Sequence, residues 1–449
     1  MKLSDNICAM ATPSGGAIGI IRISGPDSIT IADRHFSRNI SEAKSHTLHY
    51  GVFASDSSMP IDDVMVAVFR APHSYTGENS VEIYCHGSRY IMSQIIRTLI
   101  EAGCRQADPG EYTRRAFING KMDLSQAEAV ADLIAATGKA SHDMALGQLR
   151  GNISSELSRL RDQLLKMTSL MELELDFSDH EELEFADRTE LTLLAHTIHD
   201  RITSLASSFR TGQAIKQGIP VAIIGKTNVG KSTLLNRLVG EEKAIVSDIH
   251  GTTRDIIEDT IDIHGVTFRF VDTAGLRTTN DVIEQIGIER SYSALSKAAI
   301  VLWVIDTPPS EEELSDITSR CKGKQVIAVI NKTDKLPAIP LSIPFSTLSI
   351  SALNGTGINE LTDAIYAKSG IPEIGENDAI ITSARHYSSL LQAQESITRV
   401  LDGLEMNIPN DLLSEDLRQC LDALADITGG VITPSEVLNN IFSHFCIGK

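Results

Sequence analysis

The spacing of apolar and polar residues changes along the chain and divides it into segments of different predicted structure. In residues 1–120, short runs rich in apolar residues, Ile18–Ile23 and Val64–Phe69, are separated by turns that contain glycine. Such runs are typical of β-strands. This first segment is therefore predicted to be an α+β domain.

Residues 121–215 have the spacing of helices. Asp123 and Gln126 stand as the N-cap and the third residue of a helix that begins at residue 124. From there to about Arg210 there is no proline, and apolar residues recur at helical spacing at Leu157, Leu160, Leu164 and Leu165. The acidic stretch from Asp176 to Glu184 is predicted to be an exposed loop, with a metal site as the alternative for its carboxylates.

Residues 216–375 alternate short apolar runs with amphipathic stretches, which predicts a mainly parallel sheet flanked by helices. The predicted strands are Val221–Ile224, Thr267–Val271, Ile300–Ile305 and Val326–Ile330. Helical spacing returns in residues 376–449, where a last helix begins at Thr433 and carries on one face Leu438, Ile441, Phe442 and Phe445. We therefore predict a multidomain chain in which an α/β domain is inserted into a discontinuous helical domain, residues 121–215 and 376–449.

Composition agrees with a folded, water-soluble protein. The hydrophobic fraction is 42% and the charged fraction 22%. No apolar stretch approaches the roughly 18 residues that a membrane helix needs, and the first residues lack the organisation of a signal peptide, so a cytoplasmic protein without a membrane partner is predicted. The six cysteines are scattered, which supports neither a disulfide framework nor a structural zinc site.

The net charge of −19 argues against a simple nucleic-acid binder, because such proteins neutralise phosphates with a basic surface. Any contact with RNA needs a local basic patch or a partner that supplies the positive charge.

The most specific motif is Gly225–Ser232, a complete phosphate-binding loop between a predicted strand and a predicted helix. Its glycines let backbone N–H groups turn towards phosphate oxygens. Lys231 reaches the β- and γ-phosphates, and the Ser232 hydroxyl is a magnesium ligand.

Further motifs follow in the order of a guanine-nucleotide site. Gly251–Asp255 places Thr253 as a second magnesium ligand, and Asp272–Gly275 ends a predicted strand. Asn331–Asp334 follows another strand, where the Asp334 carboxylate can accept two hydrogen bonds from guanine but not from adenine. Ser351–Leu353 completes the base pocket. A Ras-like α/β P-loop GTPase domain, residues 216–375, is predicted.

The catalytic group is less evident from the residues. Leu276 stands where Ras-type GTPases have a water-orienting glutamine, so the mechanism must differ. Arg254 and Arg277 are candidates for an internal arginine finger, and a salt bridge within a switch loop is the equal alternative for each.

Together, Asn228, the Gly251–Asp255 switch and the closing Cys446–Lys449 resemble the MnmE (TrmE) family of tRNA-modification GTPases, over essentially the whole chain. The resemblance implies potassium coordination by Asn228 with Ser247, Ile249 and Thr252, and a water-orienting Glu284. Thr227 departs from the family's proline, and we expect a more mobile P-loop from it.

The cofactors implied are GTP, Mg²⁺, K⁺ and a 5-formyl- or methylene-tetrahydrofolate. The residues expected to contact nucleotide and cations are Asn228, Val229, Gly230, Lys231, Ser232, Thr233, Ser247, Asp248, Ile249, His250, Gly251, Thr252, Thr253, Asp272, Thr273, Ala274, Gly275, Asn331, Lys332, Asp334, Ser351, Ala352 and Leu353.

The resemblance also implies that residues 1–120 form a tetrahydrofolate-binding and dimerising domain. Arg22, Glu82 and Lys121 match the family's folate contacts, together with Lys449. Cys446 matches a thiol needed for tRNA modification but not for GTP hydrolysis; prenylation and a buried apolar cysteine are the other readings.

The implied protein is a homodimer whose GTPase domains approach each other. With the flavoprotein MnmG (GidA), in a heterotetramer or larger complex, it would install an aminomethyl-type group at carbon 5 of the tRNA wobble uridine. The alternatives are an Era-like regulatory GTPase of ribosome assembly and a folate-binding scaffold with a passive GTPase domain. The acidic charge argues against the first, and the complete magnesium and switch residues argue against the second.

Overall fold

The computed structural model describes residues 5–55, 59–176, 188–241, 259–271, 295–335, 343–372, 375, 378–430, 438, 441–442, 445 and 448. Contacts group the chain into two compact units. The first unit comprises Met1–Ile134, Leu146–Thr203 and Ser388–Lys449, and the second comprises Ala135–Ala145 and Ser204–Tyr387.

The first unit begins with a mixed sheet, the N-terminal sheet. Its strands are β1 (Ile7–Met10), β2 (Ile18–Ser24), β3 (Thr47–Ala54), β4 (Pro60–Phe69), β5 (Ser80–His86) and β6 (Arg105–Gln106). They lie in the order β3-β4-β5-β2-β1-β6, and all pairs are antiparallel except β1 with β6. The predicted strands at residues 18–23 and 64–69 are confirmed.

Helices of this region are α1 (Ser28–His35), α2 (Arg89–Glu101) and α3 (Glu111–Ile118). Alternation along the strands sends Ile21, Ile23, Val66 and Ile83 into a core with Met92 of α2. Arg22 and Glu82 occupy the intervening positions, so they project from the other face of the sheet.

The helices that follow are α4 (Leu124–Ala135), α5 (Lys139–Leu149), α6 (Asn152–Asp176) and α7 (Arg188–Gln217). The predicted capping box at the start of α4 is confirmed: Asp123 Oδ1 accepts from the Gln126 N–H at 2.9 Å, and Gln126 Oε1 accepts from the Asp123 N–H at 2.9 Å. Most of the acidic stretch at 176–184 lies outside the described residues.

The second unit contains the parallel sheet. Its strands are β7 (Ile219–Ile224), β8 (Asp259–Ile263), β9 (Val266–Phe270), β10 (Ile300–Ile305), β11 (Gln325–Ile330) and β12 (Ser346–Ser349). They lie in the order β12-β11-β10-β7-β9-β8, and only β8 pairs in the antiparallel direction. The predicted strands and the mainly parallel sheet are confirmed.

Both faces of this sheet are covered, because its central strands are apolar at every position. Along β10, Leu302 packs on one side with Leu234 of helix α8 (Lys231–Glu241) and Leu361 of helix α10 (Ile358–Ser369). Trp303 packs on the opposite side, in the cluster that includes Leu314 of helix α9 (Glu311–Arg320). This is the layer arrangement of a doubly wound α/β domain.

The helices that follow the parallel sheet are α11 (Ala384–Glu405) and α12 (Asn410–Thr428). The predicted last helix begins outside the described residues, but Leu438, Phe442 and Phe445 pack together against Leu124 of α4, with Ile441 beside them. Within the described ranges, no helix is both long and apolar enough to span a membrane.

Candidate guanine-nucleotide site

The loop between β7 and α8 has a backbone that only glycine adopts readily. Gly225 and Gly230 have φ angles of 147° and 99°. A Cβ atom on Gly225 would lie 2.2 Å from the Val304 carbonyl oxygen, and one on Gly230 would lie 2.2 Å from Asn331 Nδ2. Glycine is therefore required at both positions for this loop to approach the neighbouring strand ends.

Lys231 opens helix α8 and reaches back over this loop. Its ammonium donates to the carbonyl oxygens of Gly225 at 2.8 Å and Lys226 at 2.5 Å. Burial lowers the pKa of Lys231 below its ordinary value, so a phosphate beside it would favour the charged form. Ser232 and Thr233 follow in the first helical turn, where the N–H groups and the dipole of a helix favour an anion.

The Asn331 side chain joins three segments that are far apart in the sequence. Its Nδ2 donates to the Val229 carbonyl oxygen at 2.8 Å, and its Oδ1 accepts from the Ala352 N–H at 3.0 Å. The residue is only 3% exposed. The phosphate loop and the loops after β11 and β12 are thereby held as one cradle.

Asp334 is oriented at the edge of this cradle. The Ser351 hydroxyl donates to Asp334 Oδ1 at 2.7 Å, and this hydrogen bond lowers the pKa of the carboxyl below its ordinary value. Arg237 of α8 donates to the carbonyl oxygen of Leu353 at 3.2 Å. An ionised, oriented carboxylate at this point matches the paired N–H donors of a guanine ring.

Lys332 connects the base-recognition loop with the phosphate loop. Its ammonium donates to the Asn228 carbonyl oxygen at 2.6 Å and to Asp306 Oδ2 at 2.7 Å. Sequence reasoning selected Lys332 and Asn228 but missed Asp306. The available signal was an acidic residue directly after a fully apolar strand.

A second group of predicted residues meets on the N-terminal sheet. Arg22 of β2 and Glu82 of β5 are paired across the strands, and Glu82 Oε1 lies 2.9 Å from Arg22 Nε and 2.8 Å from Nη2. The Arg22 guanidinium carbon lies 5.7 Å from the ring centre of Tyr75 and 5.5 Å from that of Tyr112. The two tyrosines were not predicted.

Other groups surround this pair. The Tyr84 hydroxyl donates to Glu82 Oε2 at 2.8 Å; burial, with the Glu82 hydrogen bond and charge, raises the pKa of Tyr84 to about 12. Arg22 Nη1 donates to the Gly448 carbonyl oxygen at 3.3 Å. Lys121 donates to the Pro72 carbonyl oxygen at 3.1 Å, on the loop that supplies Tyr75.

The remaining predicted site residues lie outside the described residues and stay predictions. They are Ser247, Asp248, Ile249, His250, Gly251, Thr252, Thr253, Arg254, Asp272, Thr273, Ala274, Gly275, Glu284, Cys446 and Lys449.

Comparison with known proteins decides the family. The family model for the GTP-binding protein TrmE N-terminus matches residues 6–121, and that for the MnmE helical domain matches residues 124–446. The chain belongs to the MnmE family.

Relatives of this MnmE-family chain match it from end to end. A tRNA modification GTPase MnmE from Parabacteroides distasonis is 54% identical over 459 residues, covering 99% of each chain. The protein of the same description from Phocaeicola vulgatus is 52% identical over 494 residues, again covering 99% of each.

Among solved structures, the G domain of the T. maritima FeoB iron transporter is 23% identical and covers 34% of this MnmE-family chain and 98% of its own, with a TM-score of 0.26. The G-domain-like fold of the second unit rests on its own strand order and phosphate loop.

Proposed function

We propose that this chain is a GTP-hydrolysing enzyme of tRNA modification. The observation that carries the proposal is the cradle in which Asn331 joins the phosphate loop to the loops around Asp334 and Ser351. Such a cradle selects guanine, because its carboxylate accepts from two N–H groups that adenine lacks. Relatives that match over the whole chain are named tRNA modification GTPases.

The domain arrangement proposed is the one expected from the sequence. Residues 1–120 bind folate and dimerise, residues 216–375 form the GTPase domain, and residues 121–215 with 376–449 form the helical domain. Partners are a second copy of the chain, an MnmG (GidA) flavoprotein and tRNA.

Magnesium and potassium fit the donors that the chain offers. Both are hard cations that take oxygen ligands. Ser232 presents a hydroxyl at the start of α8, and Asn228 is held with a φ of 61°. We assign Ser232 and Thr253 to magnesium, and Asn228, Ser247, Ile249 and Thr252 to potassium. When bound, the cations would neutralise charge on the phosphates.

The remaining roles in hydrolysis fall to side chains of this chain. Lys231 holds the phosphates, Glu284 orients the attacking water, and Arg254 acts as a catalytic internal arginine finger. Hydrolysis then acts as a conformational timer for the modifying complex.

The N-terminal sheet is proposed to hold the tetrahydrofolate. Arg22, Lys121 and Lys449 would bind its carboxylates, and Glu82 would accept from the pterin N–H edge. The side chains of Arg22 and Glu82 are 21% and 16% exposed, so the pair is accessible to a ligand from one face. Cys446 is proposed to serve the tRNA modification without a part in GTP hydrolysis.

The test is mass spectrometry of wobble nucleosides in a bacterial strain that lacks its own MnmE. We expect the wild-type chain to restore a 5-aminomethyl-type uridine, and Asp334→Asn and Cys446→Ser to fail. Purified Cys446→Ser should hydrolyse GTP at the wild-type rate, faster in K⁺ than in Na⁺, whereas Asp334→Asn should bind GTP about 100-fold more weakly. Unchanged nucleosides with the wild-type chain would refute the tRNA assignment.

A further inference from the structure

Asp306 lies where β10 and its neighbour β11 in the parallel sheet end. It follows β10 directly, and the N–H of Asn331, the first residue after β11, donates to the Ile305 carbonyl oxygen at 2.8 Å. The register pairs Ile305 with Ile330, so Asp306 and the base-recognition loop leave the sheet side by side.

The contact that Asp306 makes is shared with the phosphate loop. Lys332 Nζ lies 2.7 Å from Asp306 Oδ2 and 2.6 Å from the Asn228 carbonyl oxygen. The side chains of Lys332 and Asp306 are 34% and 23% exposed. A lysine has a flexible stem with many rotamers. The carboxylate therefore favours the ammonium position from which Lys332 donates to the Asn228 carbonyl oxygen.

Lys332 and Asn228, the two residues of this hydrogen bond, both have a left-handed backbone. Asn228 has a φ of 61° and Lys332 a φ of 66°. The left-handed conformation is common for asparagine but costs free energy for lysine, which keeps it where surrounding contacts compensate. The hydrogen bond from Lys332 to the Asn228 carbonyl links these two positions directly, and Asp306 is the anion that completes the link.

We propose that Asp306 is a positioning residue: through Lys332 it holds Asn228 and so couples guanine recognition to the cation-binding part of the phosphate loop. The inference rests on the proposed function for the role of Asn228 towards potassium. An ordinary ion pair at the surface would leave that coupling unchanged.

The test compares Asp306→Asn, which removes the charge at nearly constant shape, with Asp306→Glu, which keeps it. The readouts are the Kd of a fluorescent GDP analogue and the K⁺ concentration that half-activates GTP hydrolysis. Asp306→Asn should raise both about fivefold, as expected for one partly shielded ion pair, and Asp306→Glu should move both back towards wild type. In a Lys332→Met background, Asp306→Asn should have no further effect.

Glu313→Gln is the matched control. Glu313 pairs with Lys226 of the phosphate loop at 2.8 Å. Glutamine at position 313 can keep the capping role of this residue at the start of α9. This variant should stay within about twofold of wild type. The inference is overturned if Asp306→Asn and Glu313→Gln change the Kd and the half-activating K⁺ concentration by the same factor. It is also overturned if both variants lose affinity equally and both melt at a lower temperature than wild type.

The proposed function can fail separately. If the wild-type enzyme has no preference for K⁺ over Na⁺, the potassium assignment is wrong. The Kd for the GDP analogue then decides alone: a loss confined to Asp306→Asn and absent from the Lys332→Met background supports the positioning role, and an unchanged Kd overturns it.

Discussion

The parallel sheet and the N-terminal sheet carry their candidate sites in different places. In the parallel sheet, the candidate residues lie in loops after the strands or at the start of α8, and backbone atoms make many of the contacts. In the N-terminal sheet, Arg22 and Glu82 lie within strands, on one face, and meet through side chains alone. A site in loops depends on how closely backbones approach, whereas a site on a sheet face depends on which charges surround it.

Beside the N-terminal sheet, a buried cluster of charged side chains is centred on Arg115. Its side chain is 2% exposed and lies 2.6 Å from Asp5, 3.1 Å from Glu78 and 3.0 Å from Glu111. Burial opposes its charged form, but Glu78 and Glu111 outweigh burial and raise the pKa of Arg115 above its ordinary value. A buried ionic cluster therefore supports the fold of the first unit, whereas the candidate site of the second unit requires glycine in its phosphate loop.

Gly225→Ala should reduce stability the most, because the close contact between the phosphate loop and the end of β10 leaves no room for a side chain. The added methyl would meet the Val304 carbonyl at 2.2 Å, at a φ of 147°. Strain and overlap together should cost about 3–5 kcal/mol. Urea unfolding followed by the fluorescence of Trp303, the single tryptophan, reports the second unit.

Gly240→Ala is the control for this change. Gly240 lies in helix α8, and a Cβ atom there has no neighbour within 4 Å. Alanine should stabilise that helix by about 0.5 kcal/mol. If both alanine variants unfold at the wild-type urea concentration, the contrast between the two sheets is wrong.

Arg115→Met should have the second-largest effect on stability, because it leaves the largely buried carboxylates of Glu78 and Glu111 without this cationic partner. A loss of about 3 kcal/mol is expected, at the lower end for a broken buried pair because Arg105 still contacts Glu111 at 2.6 Å. Hydrogen exchange of residues 105–118 should rise, while the Trp303 signal of the second unit stays unchanged. Arg97→Met, which removes an exposed pair with Glu101, should change neither measurement.

The contrast also explains what could be predicted from the sequence. Motifs of the parallel sheet are local, since a strand, a turn and a helix start follow one another within a few residues. The apolar run Ile300–Ile305 predicts that strand at its observed bounds, and the motifs identify Asn331, Asp334 and Ser351, whose side chains contact one another's loops in the structure. Asp306 was missed because its partner Lys332 is 26 residues away and no motif joins them.

On the N-terminal sheet, the partners are farther apart. Arg22 meets Glu82 across 60 residues and the Gly448 carbonyl across 426. The pairing of Arg22 with Glu82 follows from strand register, which the sequence pattern alone does not determine. The resemblance supplied Arg22 and Glu82, but Tyr75 and Tyr112 became evident only from the folded arrangement.

Acidification should give the smallest effect and sharpen the contrast further. Burial alone would raise the pKa of Glu111, but hydrogen bonds from Arg105, the Asp108 N–H and Arg115 outweigh it and hold that pKa below the ordinary value of 4.5. A carboxyl with a lowered folded-state pKa contributes stability that is complete above its unfolded value and lost as the pH falls through the folded one. The free energy of unfolding, measured with urea, should therefore be constant from pH 7 to about pH 5 and decrease below pH 4.5.

This loss should be smaller in Arg115→Met than in wild type, because the variant lacks one of the groups that lower the pKa of Glu111. Asp5 acts in the same direction, since Arg105 and Arg115 outweigh its burial and lower its pKa. Circular dichroism at each pH follows the unfolding. Both proteins also carry Glu313→Gln, which removes a glutamate of the second unit whose pKa is itself lowered by its contact with Lys226. An equal acid loss in wild type and Arg115→Met would mean that the buried ionic cluster does not set the acid stability of the first unit.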